Sequence, residues 1–599
     1  MAWYDEAVFY HIYPLGLTGA PKQNDYGEPV HRLNTLLPWV DHIKEIGGSA
    51  LYIGPLFESV GHGYETTDYK KLDSRLGTNE DLTAFVAYCH EQGIKVIFDG
   101  VFNHTGRDFF AFKDIQANRE NSQYKDWYCN VNFWGNNEYN DGFSYDNWGG
   151  YNLLVKLNQK NPAVVDYICD VIRFWVSEFD VDGIRLDAAD VLDFDFMKAL
   201  RRTANEVKPD FWLMGEVIHG DYSRWVNGET LHSVTNYTLH KALYSGHNDH
   251  NYFEIAHTVR RLQNMGTLKL YNFVDNHDVE RIYTKLTNKA HFAPVHVLLY
   301  TLPGVPSIYY GSEFGIEGRK EYGSDDSLRP ALNIEDYKDS VKTNPCTALI
   351  AALGKVRQAV PALSYGSYDE LMLTNRQFAY ARDLDGTRVI VSVNNDDAPA
   401  GMHLAAGNCT AYIGALSGEK VSVQDGHINI TQPANSGEIW VPEGTDLDVK
   451  PVKVVTKTES EAKTNTEDKA ASETATDAKG NQESEPKIES KESKDIVTAT
   501  ESADAKKNTT NTEKNISAAN EVKDSAKDAS AQAAAGTPVD PETITVDWSK
   551  SPESMTVPEL QAAILAKLAG NGPVDAQMKK TVTDNIWHDS LVNWLKSFR

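Results

Sequence analysis

Short apolar runs alternate with amphipathic stretches along the first 370 residues of the chain. The amphipathic stretches, such as LLPWVDHIKEIG at 36–47, repeat their apolar residues at the spacing of a helix, whereas the runs are strand-like. Repeated strand–helix alternation predicts a parallel sheet, and eight runs predict a closed (β/α)8 TIM barrel, of the α/β class, over residues 1–370. The runs are VFYHIYPLG (8–16), SALYIGPLF (49–57), KVIFDGVFNH (95–104), DGIRLDAAD (182–190), FWLMGEVI (211–218), HSVTNY (232–237), LYNFVDNHD (270–278) and GVPSIYYGSE (304–313).

Two further segments have patterns of their own. Residues 105–155 follow the third run and are rich in Asn, Trp, Tyr and Gly. This length is too great for an ordinary strand–helix connection, so we predict a small inserted subdomain. Residues 371–445 alternate with a period of two around Asp-Gly and Ser-Gly turns, which predicts a C-terminal antiparallel β-sandwich domain.

The composition changes near residue 445. Residues 446–540 are polar and charged, with almost no aromatic side chains. Such a segment buries too little apolar surface to offset the entropy lost on ordering, so we predict a disordered linker.

Helical patterning returns in residues 541–599, which predicts a small helical module. Thr556 is a candidate N-cap, and Pro558 lies in the first turn of the stretch that follows. Apolar residues then recur on one stripe in two stretches. We expect the module to have its own core, with docking to a partner, self-association or polysaccharide binding as the alternatives. The stripe residues are Leu560, Ile564, Leu565 and Leu568, followed by Ile586, Trp587, Leu591, Trp594 and Leu595.

Charge and cysteine usage exclude several functions. The formal net charge of -27 argues against binding to nucleic acid, whose phosphates require a basic surface. The five cysteines have no zinc-site spacing, and scattered thiols are typical of a reducing compartment. No run of about 18 apolar residues and no signal-peptide pattern occurs, so we expect no membrane association and a cytoplasmic protein.

Polar residues end four of the predicted strands. The third run ends in Asp99, Asn103 and His104, and the fourth in Arg185 and Asp187. In a TIM barrel the active site forms at the C-terminal ends of the strands, so these side chains are expected to meet at one mouth. The remaining members are Glu216 after the fifth run and Asp275, Asn276, His277 and Asp278 after the seventh.

Three carboxylates in one cleft restrict the chemistry. An arginine two residues away on the same strand face, Arg185, favours the ionised form of Asp187, which suits a nucleophile. Glu216 follows an apolar run, and burial there raises its pKa, which suits a general acid. A nucleophilic Asp with a protonated Glu is the arrangement of a retaining glycosidase.

The motifs DGVFNH, GIRLDAAD, GEV and FVDNHD, in that order, resemble the alpha-amylase family of glycoside hydrolases over roughly residues 5–445. The resemblance implies that Asp187 is the nucleophile, Glu216 the general acid/base and Asp278 the transition-state stabiliser. It also implies supporting roles for six residues. Arg185 orients the nucleophile, His104 and His277 bind the sugar, Tyr64 stacks on it, Asp99 supports Arg185, and Arg329 lies in a substrate-binding segment.

The resemblance to subgroups is mixed. LVKLN at 154–158 and the stretch after Glu216 are similar to neopullulanases and cyclomaltodextrinases, whereas FVDNHD is closer to ordinary alpha-amylases. The Lys-His pair that ordinary alpha-amylases carry after the nucleophile is replaced by Asp190 and Val191. We predict an alpha-amylase-type hydrolase of α-1,4 bonds in maltodextrins, maltooligosaccharides or starch. The alternatives are a cyclomaltodextrinase- or neopullulanase-like enzyme, a 4-α-glucanotransferase and, more remotely, an inactive carbohydrate-binding protein.

The chemistry requires no cofactor, but the resemblance implies a candidate site for a structural calcium ion. Asn103 matches a calcium ligand of the family, with Asp141 and Asp146 of the predicted insertion as candidate partners. The alternative is that Asn103 only makes a loop hydrogen bond.

Overall fold

The computed structural model describes residues 2–266, 268–321, 324–449 and 451–452, together with 546, 550, 551, 555–570, 582 and 595. The chain forms two compact units, 1–480 and 481–599. The first contains the predicted barrel, insertion and β domain. Most of the predicted linker lies outside the described residues.

Eight parallel strands form the predicted barrel. The strands are β1 (Phe9–Ile12), β2 (Ala50–Ile53), β3 (Lys95–Gly100), β4 (Gly183–Leu186), β5 (Trp212–Gly215), β6 (Ser233–Val234), β7 (Tyr271–Phe273) and β8 (Val305–Tyr309). They pair in the order β6-β5-β4-β3-β2-β1-β8-β7, and a parallel bridge between Thr235 and Tyr271 joins the two ends of this sheet. All eight lie within the predicted apolar runs, so the barrel prediction is confirmed.

Amphipathic helices surround the sheet. In the helix Pro162–Phe179, Asn161 caps the first turn by accepting from the Ala163 amide, and Asp180 ends the helix in the left-handed region at φ 53°. One face of this helix is buried in the main core around Trp175. The other longer helices are Leu37–Glu45, Asn79–Glu91, Phe110–Asn118, Phe194–Val207, Tyr237–Asn248, Tyr252–Asn264, Phe292–Thr301 and Pro345–Ala359, and the four-residue helices are Pro14–Leu17, Ile282–Lys285, Ser340–Thr343 and Ala362–Tyr365.

The barrel interior changes from apolar to polar along the strands. Side chains two residues apart share a face, so Phe9 and Ile97 lie one step below His11 and Asp99. The lower residues belong to a buried apolar cluster, to which Trp212, Tyr271 and Phe273 also contribute. The polar residues therefore stand on a buried apolar layer and face the C-terminal mouth.

The predicted insertion follows β3. It contains the helix Phe110–Asn118 and a small antiparallel sheet of His104–Thr105, Asn147–Trp148 and Tyr151–Lys156. His104 pairs with Lys156 in this sheet, so the insertion begins at the mouth of the barrel.

The C-terminal β domain consists of a six-stranded and a two-stranded antiparallel sheet, with a shared core that includes Ile390, Leu404, Ile428 and Trp440. It begins at 367, four residues before the predicted boundary. Its other apolar face joins the main core of the barrel. The strands are Ser367–Leu373, Gln377–Leu384, Thr387–Asn394, Ala400–Ala405, Ala411–Gly414, Lys420–Ser422, His427–Gln432 and Ser436–Pro442.

The predicted start of the linker at 446 is wrong. Leu447 and Val449 line a groove beside Ile413 on the β domain, and the Val452 amide donates to the Leu416 carbonyl at 2.8 Å. Three apolar side chains spaced along 447–452 give this segment enough apolar surface to pack. The described residues 447–449 and 451–452 therefore pack on the β domain.

In the second unit, the helix Val557–Gly570 begins after Thr556, as predicted. The Thr556 amide donates to Glu559 Oε2 at 2.7 Å, which satisfies one donor at the start of the helix. Leu560 and Ile564 form a buried cluster with Leu595, which favours a core belonging to the module itself. Leu568, Ile586, Trp587, Leu591 and Trp594 have no described side chains.

The described helices include none that is both long and apolar enough to cross a bilayer.

Two buried arginines bind the C-terminal end of the helix Phe292–Thr301 between barrel and β domain. Arg357 Nη1 donates to the Tyr300 carbonyl at 2.7 Å, and Arg382 Nη1 donates to the Thr301 carbonyl at 2.6 Å. The last carbonyls of a helix have no partner within the helix, and the helix dipole favours a cation there. The bond from Arg382, on the strand Gln377–Leu384, therefore attaches the β domain to the barrel, whereas the bond from Arg357 joins two helices of the barrel.

We expect Arg382→Met to lower the free energy of unfolding of the first unit by about 1–3 kcal/mol, because buried carbonyls lose their donor. Arg382 is 2% exposed, and Met keeps much of its apolar stem. The midpoint of urea unfolding measures the change. The control Arg173→Met removes a side chain that is 43% exposed and should change the free energy by less than about 0.5 kcal/mol. Equal midpoints for both variants would contradict the attachment.

Candidate functional site

The main chain positions two carboxylates directly after neighbouring strands. Asp187 follows β4, and its amide donates to the Gly100 carbonyl at 3.1 Å. Glu216 follows β5, and its amide donates to the Leu186 carbonyl at 2.9 Å. The sheet hydrogen bonds thus continue through both residues and hold their side chains at the barrel mouth.

Arg185 is the centre of the site. Its Nη1 lies 2.9 Å from Asp99 Oδ1 and 2.9 Å from Asp187 Oδ1, and its Nη2 lies 2.8 Å from Glu216 Oε2. The side chain is 3% exposed, so these contacts form away from solvent. One guanidinium therefore brings together three carboxylates from three adjacent strands.

Asp99 is held from its other side by two phenols. Tyr52 donates to Asp99 Oδ2 at 2.7 Å, and Tyr64 donates to the same oxygen at 3.3 Å. Asp99 therefore lies between the Arg185 guanidinium and the two phenols, and its supporting role stays a prediction. Tyr52, which the sequence analysis missed, lies two residues after Ala50 on the inward face of β2. Because alternate side chains of a strand share a face, this spacing could have identified Tyr52 as a residue that points into the barrel.

The shared guanidinium changes the expected electrostatics. Burial raises the pKa of Asp187 well above its ordinary value, with Arg185 opposing the rise and Glu216 adding to it. Burial also raises the pKa of Glu216, with Arg185 opposing and Asp278 adding. Arg185 opposes the rise in the pKa of Asp187, which is the predicted direction, but it also binds Glu216 and opposes the rise there. The two carboxyls therefore behave as a coupled pair that retains a proton more readily than isolated carboxyls.

Asp278 has different partners. Its Oδ2 lies 3.1 Å from His277 Nε2, and its Oδ1 lies 2.9 Å from Arg329 Nη2. Burial raises the pKa of Asp278, but the His277 imidazole and the Arg329 guanidinium outweigh it and hold that pKa at about 2. Asp278 is thus ionised at neutral pH. Arg329 also binds Asp325 at 3.1 Å, so it links the loop after β8 to the mouth.

Aromatic rings surround His277. Tyr64 and Tyr13 stack parallel to the imidazole, with ring centroids 5.8 and 5.9 Å from it. The Tyr64 hydroxyl also contacts His277 Nε2. Burial lowers the pKa of His277 to about 3, so the ring is neutral. Tyr13 was not identified from the sequence, because it lies past the end of β1.

His104 supports the site from below. Its Nε2 lies 3.0 Å from the Tyr64 carbonyl, and Asn103 Nδ2 lies 3.2 Å from its Nδ1. Burial lowers the pKa of His104 to about 3. Both ring nitrogens of His104 therefore have partners, and the bond from Nε2 holds the main chain of Tyr64. For His104 to form a hydrogen bond with a sugar, one of these two bonds must first break.

Tyr237 is a further residue that the sequence analysis missed. Its hydroxyl donates to Glu216 Oε1 at 3.5 Å and accepts from Asn276 Nδ2 at 3.2 Å. Tyr237 begins the helix after β6 and is the last residue of the sixth run. It therefore links Glu216 to the residues after β7.

The surroundings of Asn103 do not fit a calcium ion. Asn103 Oδ1 is buried and accepts no hydrogen bond from the described residues. Asp141 instead binds both terminal nitrogens of Arg107, at 2.7 and 2.8 Å, and Asp146 accepts from Asn130 at 2.7 Å. Within the described residues no three His, Cys, Asp or Glu side chains gather as a metal site requires. A single amide oxygen does not supply the six to eight oxygen ligands of calcium.

The comparisons with known proteins agree with this geometry. The family described as "Alpha amylase, catalytic domain" matches residues 32–355, more than half of the chain. A cyclomaltodextrinase from Bacillus sp is 31% identical over 422 residues, covering 66% of this chain and 74% of the relative. A cyclomaltodextrinase from Thermoanaerobacter pseudethanolicus is 32% identical over 419 residues, covering 66% and 71%.

A solved structure of a cyclomaltodextrinase has a TM-score of 0.66 and 27% identity, covering 73% of this chain and 78% of that chain. The relatives favour the cyclomaltodextrinase-like alternative over the broader alpha-amylase prediction. The barrel, the ordered motifs and the family match lead to one conclusion: the chain belongs to the alpha-amylase family of glycoside hydrolases.

Proposed function

We propose that the protein is a retaining glycosidase of the cyclomaltodextrinase type, which hydrolyses α-1,4-glucosidic bonds in short linear and cyclic maltodextrins. The observation that carries the proposal is the binding of Asp187 and Glu216 to the two ends of one guanidinium. Relatives named cyclomaltodextrinase support the substrate class. The presence of all three carboxylates argues against an inactive carbohydrate-binding barrel.

The reaction uses the coupled pair in two roles. Glu216 gives its proton to the glycosidic oxygen while Asp187 attacks the anomeric carbon, so the leaving sugar departs as an alcohol and a glycosyl–Asp187 ester forms. Glu216, now ionised, then takes a proton from water, and the resulting hydroxide attacks the same carbon and releases Asp187. Each step leaves the total charge of the pair unchanged.

Hydrogen bonding divides the two roles. Asp187 Oδ1 is held by Arg185, whereas Oδ2 accepts no hydrogen bond from the described residues and faces the incoming sugar. Glu216 Oε2 accepts from the Ala188 amide at 3.0 Å and from Arg185, so the proton belongs on Oε1. Retaining enzymes hold their carboxyls about 5–5.5 Å apart, against about 6.5–9.5 Å in inverting ones. Contact with a single guanidinium favours the shorter separation.

Asp278 and the aromatic residues act on the sugar. The ionised Asp278 is the group that stabilises positive charge developing on the ring in the transition state. Tyr64 and His277 form the wall on which that ring lies. Arg329 holds Asp278 in place, and Arg185 keeps the nucleophile oriented.

We place the enzyme in the cytoplasm. All five cysteines are free, including the half-buried Cys129 and Cys409, and such thiols persist in a reducing compartment.

The substrate proposal is tested by chromatography of the products from β-cyclodextrin, maltoheptaose, pullulan and starch. We expect kcat/KM for β-cyclodextrin and maltoheptaose to exceed that for starch by at least ten-fold, with maltose as a main product. A preference for starch with no cleavage of β-cyclodextrin would indicate an ordinary alpha-amylase. Products longer than the maltoheptaose substrate would indicate glucanosyl transfer.

The catalytic roles are tested by replacing each carboxylate with its amide. Asp187→Asn should reduce turnover to a few per cent or less, because the nucleophilic charge is lost. Glu216→Gln should reduce it by about 10²–10⁴-fold, the range of a general acid. Initial rates on maltoheptaose provide the measurement.

The matched control is Asp195→Asn, whose side chain is 92% exposed on the helix after β4. It should keep the full rate, and all three variants should unfold at similar temperatures. Substantial turnover by a pure, folded Asp187→Asn preparation would exclude Asp187 as the nucleophile.

A further inference from the structure

The insertion exposes an unusual number of aromatic rings. Eight large hydrophobic residues are exposed in the described part of the chain, and four of them lie within residues 105–155. Trp134 is 98% exposed, whereas the other described tryptophans are buried or half-buried. Single exposed apolar residues are normal on protein surfaces, but a concentration of large rings marks an interaction site. The four are Phe110, Trp134, Tyr139 and Tyr151.

The loop that carries Trp134 is held rigidly. The Trp134 amide donates to Asn132 Oδ1 at 3.0 Å, and Asn132 pairs with Ser144 across the loop. Arg119 donates to the Asp141 carbonyl at 2.9 Å. The exposure of the indole is therefore a property of an ordered loop, and binding to it would lose little conformational entropy.

The surroundings of Trp134 match a sugar better than a protein. Residues 132–152 contain no Ile, Leu, Val or Met. The rings are separated by Asn, Asp, Glu and Gly, whose amides and carboxylates bind hydroxyl groups. Protein interfaces need a contiguous apolar core, which this segment lacks. A pyranose ring has an apolar face that stacks on an indole and a rim of hydroxyls that bind amides.

The position of the rings fits the outer part of a long substrate. His104, at the mouth of the barrel, pairs with Lys156, and the strand runs from there to Tyr151. Five residues of strand span roughly 17 Å. Tyr151 and the adjoining loop therefore lie several sugar units away from the residues that surround the reacting bond.

We propose that Trp134, together with Tyr151 in the neighbouring strand that Asn152 joins to Glu138 of the Trp134 loop, forms a second α-glucan contact outside the catalytic cleft. The inference rests on the proposed function, because it extends the proposed α-1,4-glucan specificity from short substrates to longer chains. The contact binds the distal part of a long chain and leaves short substrates unaffected.

Affinity electrophoresis through gels containing amylopectin tests the contact. The Asp187→Asn background prevents digestion of the polymer. We expect this protein to be retarded and the added Trp134→Ala substitution to remove at least half of the retardation. The matched control, Phe253→Ala, removes a ring that is 47% exposed on a helix outside the insertion and should leave the retardation unchanged.

Kinetics of the otherwise unmodified full chain provide the second arm. Trp134→Ala should raise KM for amylose at least five-fold while kcat/KM for maltotriose stays within two-fold, and Tyr151→Ala should act in the same direction. Hydrolysis with unchanged retardation and unchanged KM for amylose would overturn this inference and leave the proposed function intact. A wild-type protein that cleaves no α-glucan would overturn both. A dimer that Trp134→Ala converts to a monomer, with retardation unchanged, would assign Trp134 to self-association instead.

Discussion

The contact of one buried guanidinium with three carboxylates determines the rest of the site. Arg185 has no solvent to screen it, so the carboxylates around it must supply its counter-charge. In return, Asp99, Asp187 and Glu216 lie closer together than their mutual repulsion would otherwise allow. The apolar layer below and the phenols of the neighbouring strands leave this cluster little room to relax, which preserves its geometry before substrate arrives.

The sequence was sufficient for the eight barrel strands and for the candidate carboxylates. Apolar runs alternating with amphipathic stretches identified all eight strands, and polar residues at their ends identified Asp187, Glu216 and Asp278 as candidates. The sequence was insufficient to predict that Asp187 and Glu216 share the positive charge of Arg185. Only the tertiary structure brings Glu216, from the next strand, to the second nitrogen of Arg185. The pKa values of Asp187 and Glu216 therefore depend on a contact between strands that no local pattern contains.

Side chains from loops were equally difficult to predict. Tyr13 and Tyr237 reach the site from positions just outside the strands, where no period indicates direction. The linker boundary failed for a related reason. Leu447, Val449 and Val452 are isolated apolar residues in a polar segment. Their packing can be recognised only in the folded protein, where the β domain provides an apolar surface for them. The acidic partners expected beside Asn103 were instead bound by Arg107 and Asn130, which the sequence left unpaired.

We infer that Arg185 arranges Asp187 and Glu216 for double displacement at one carbon. Proton NMR of the first product released from maltoheptaose tests this arrangement most directly, because each displacement inverts the configuration. Double displacement predicts that the α-anomer appears first and that the β-anomer grows in only by mutarotation. Initial release of the β-anomer would mean a single displacement by water and would contradict the proposed roles of Asp187 and Glu216.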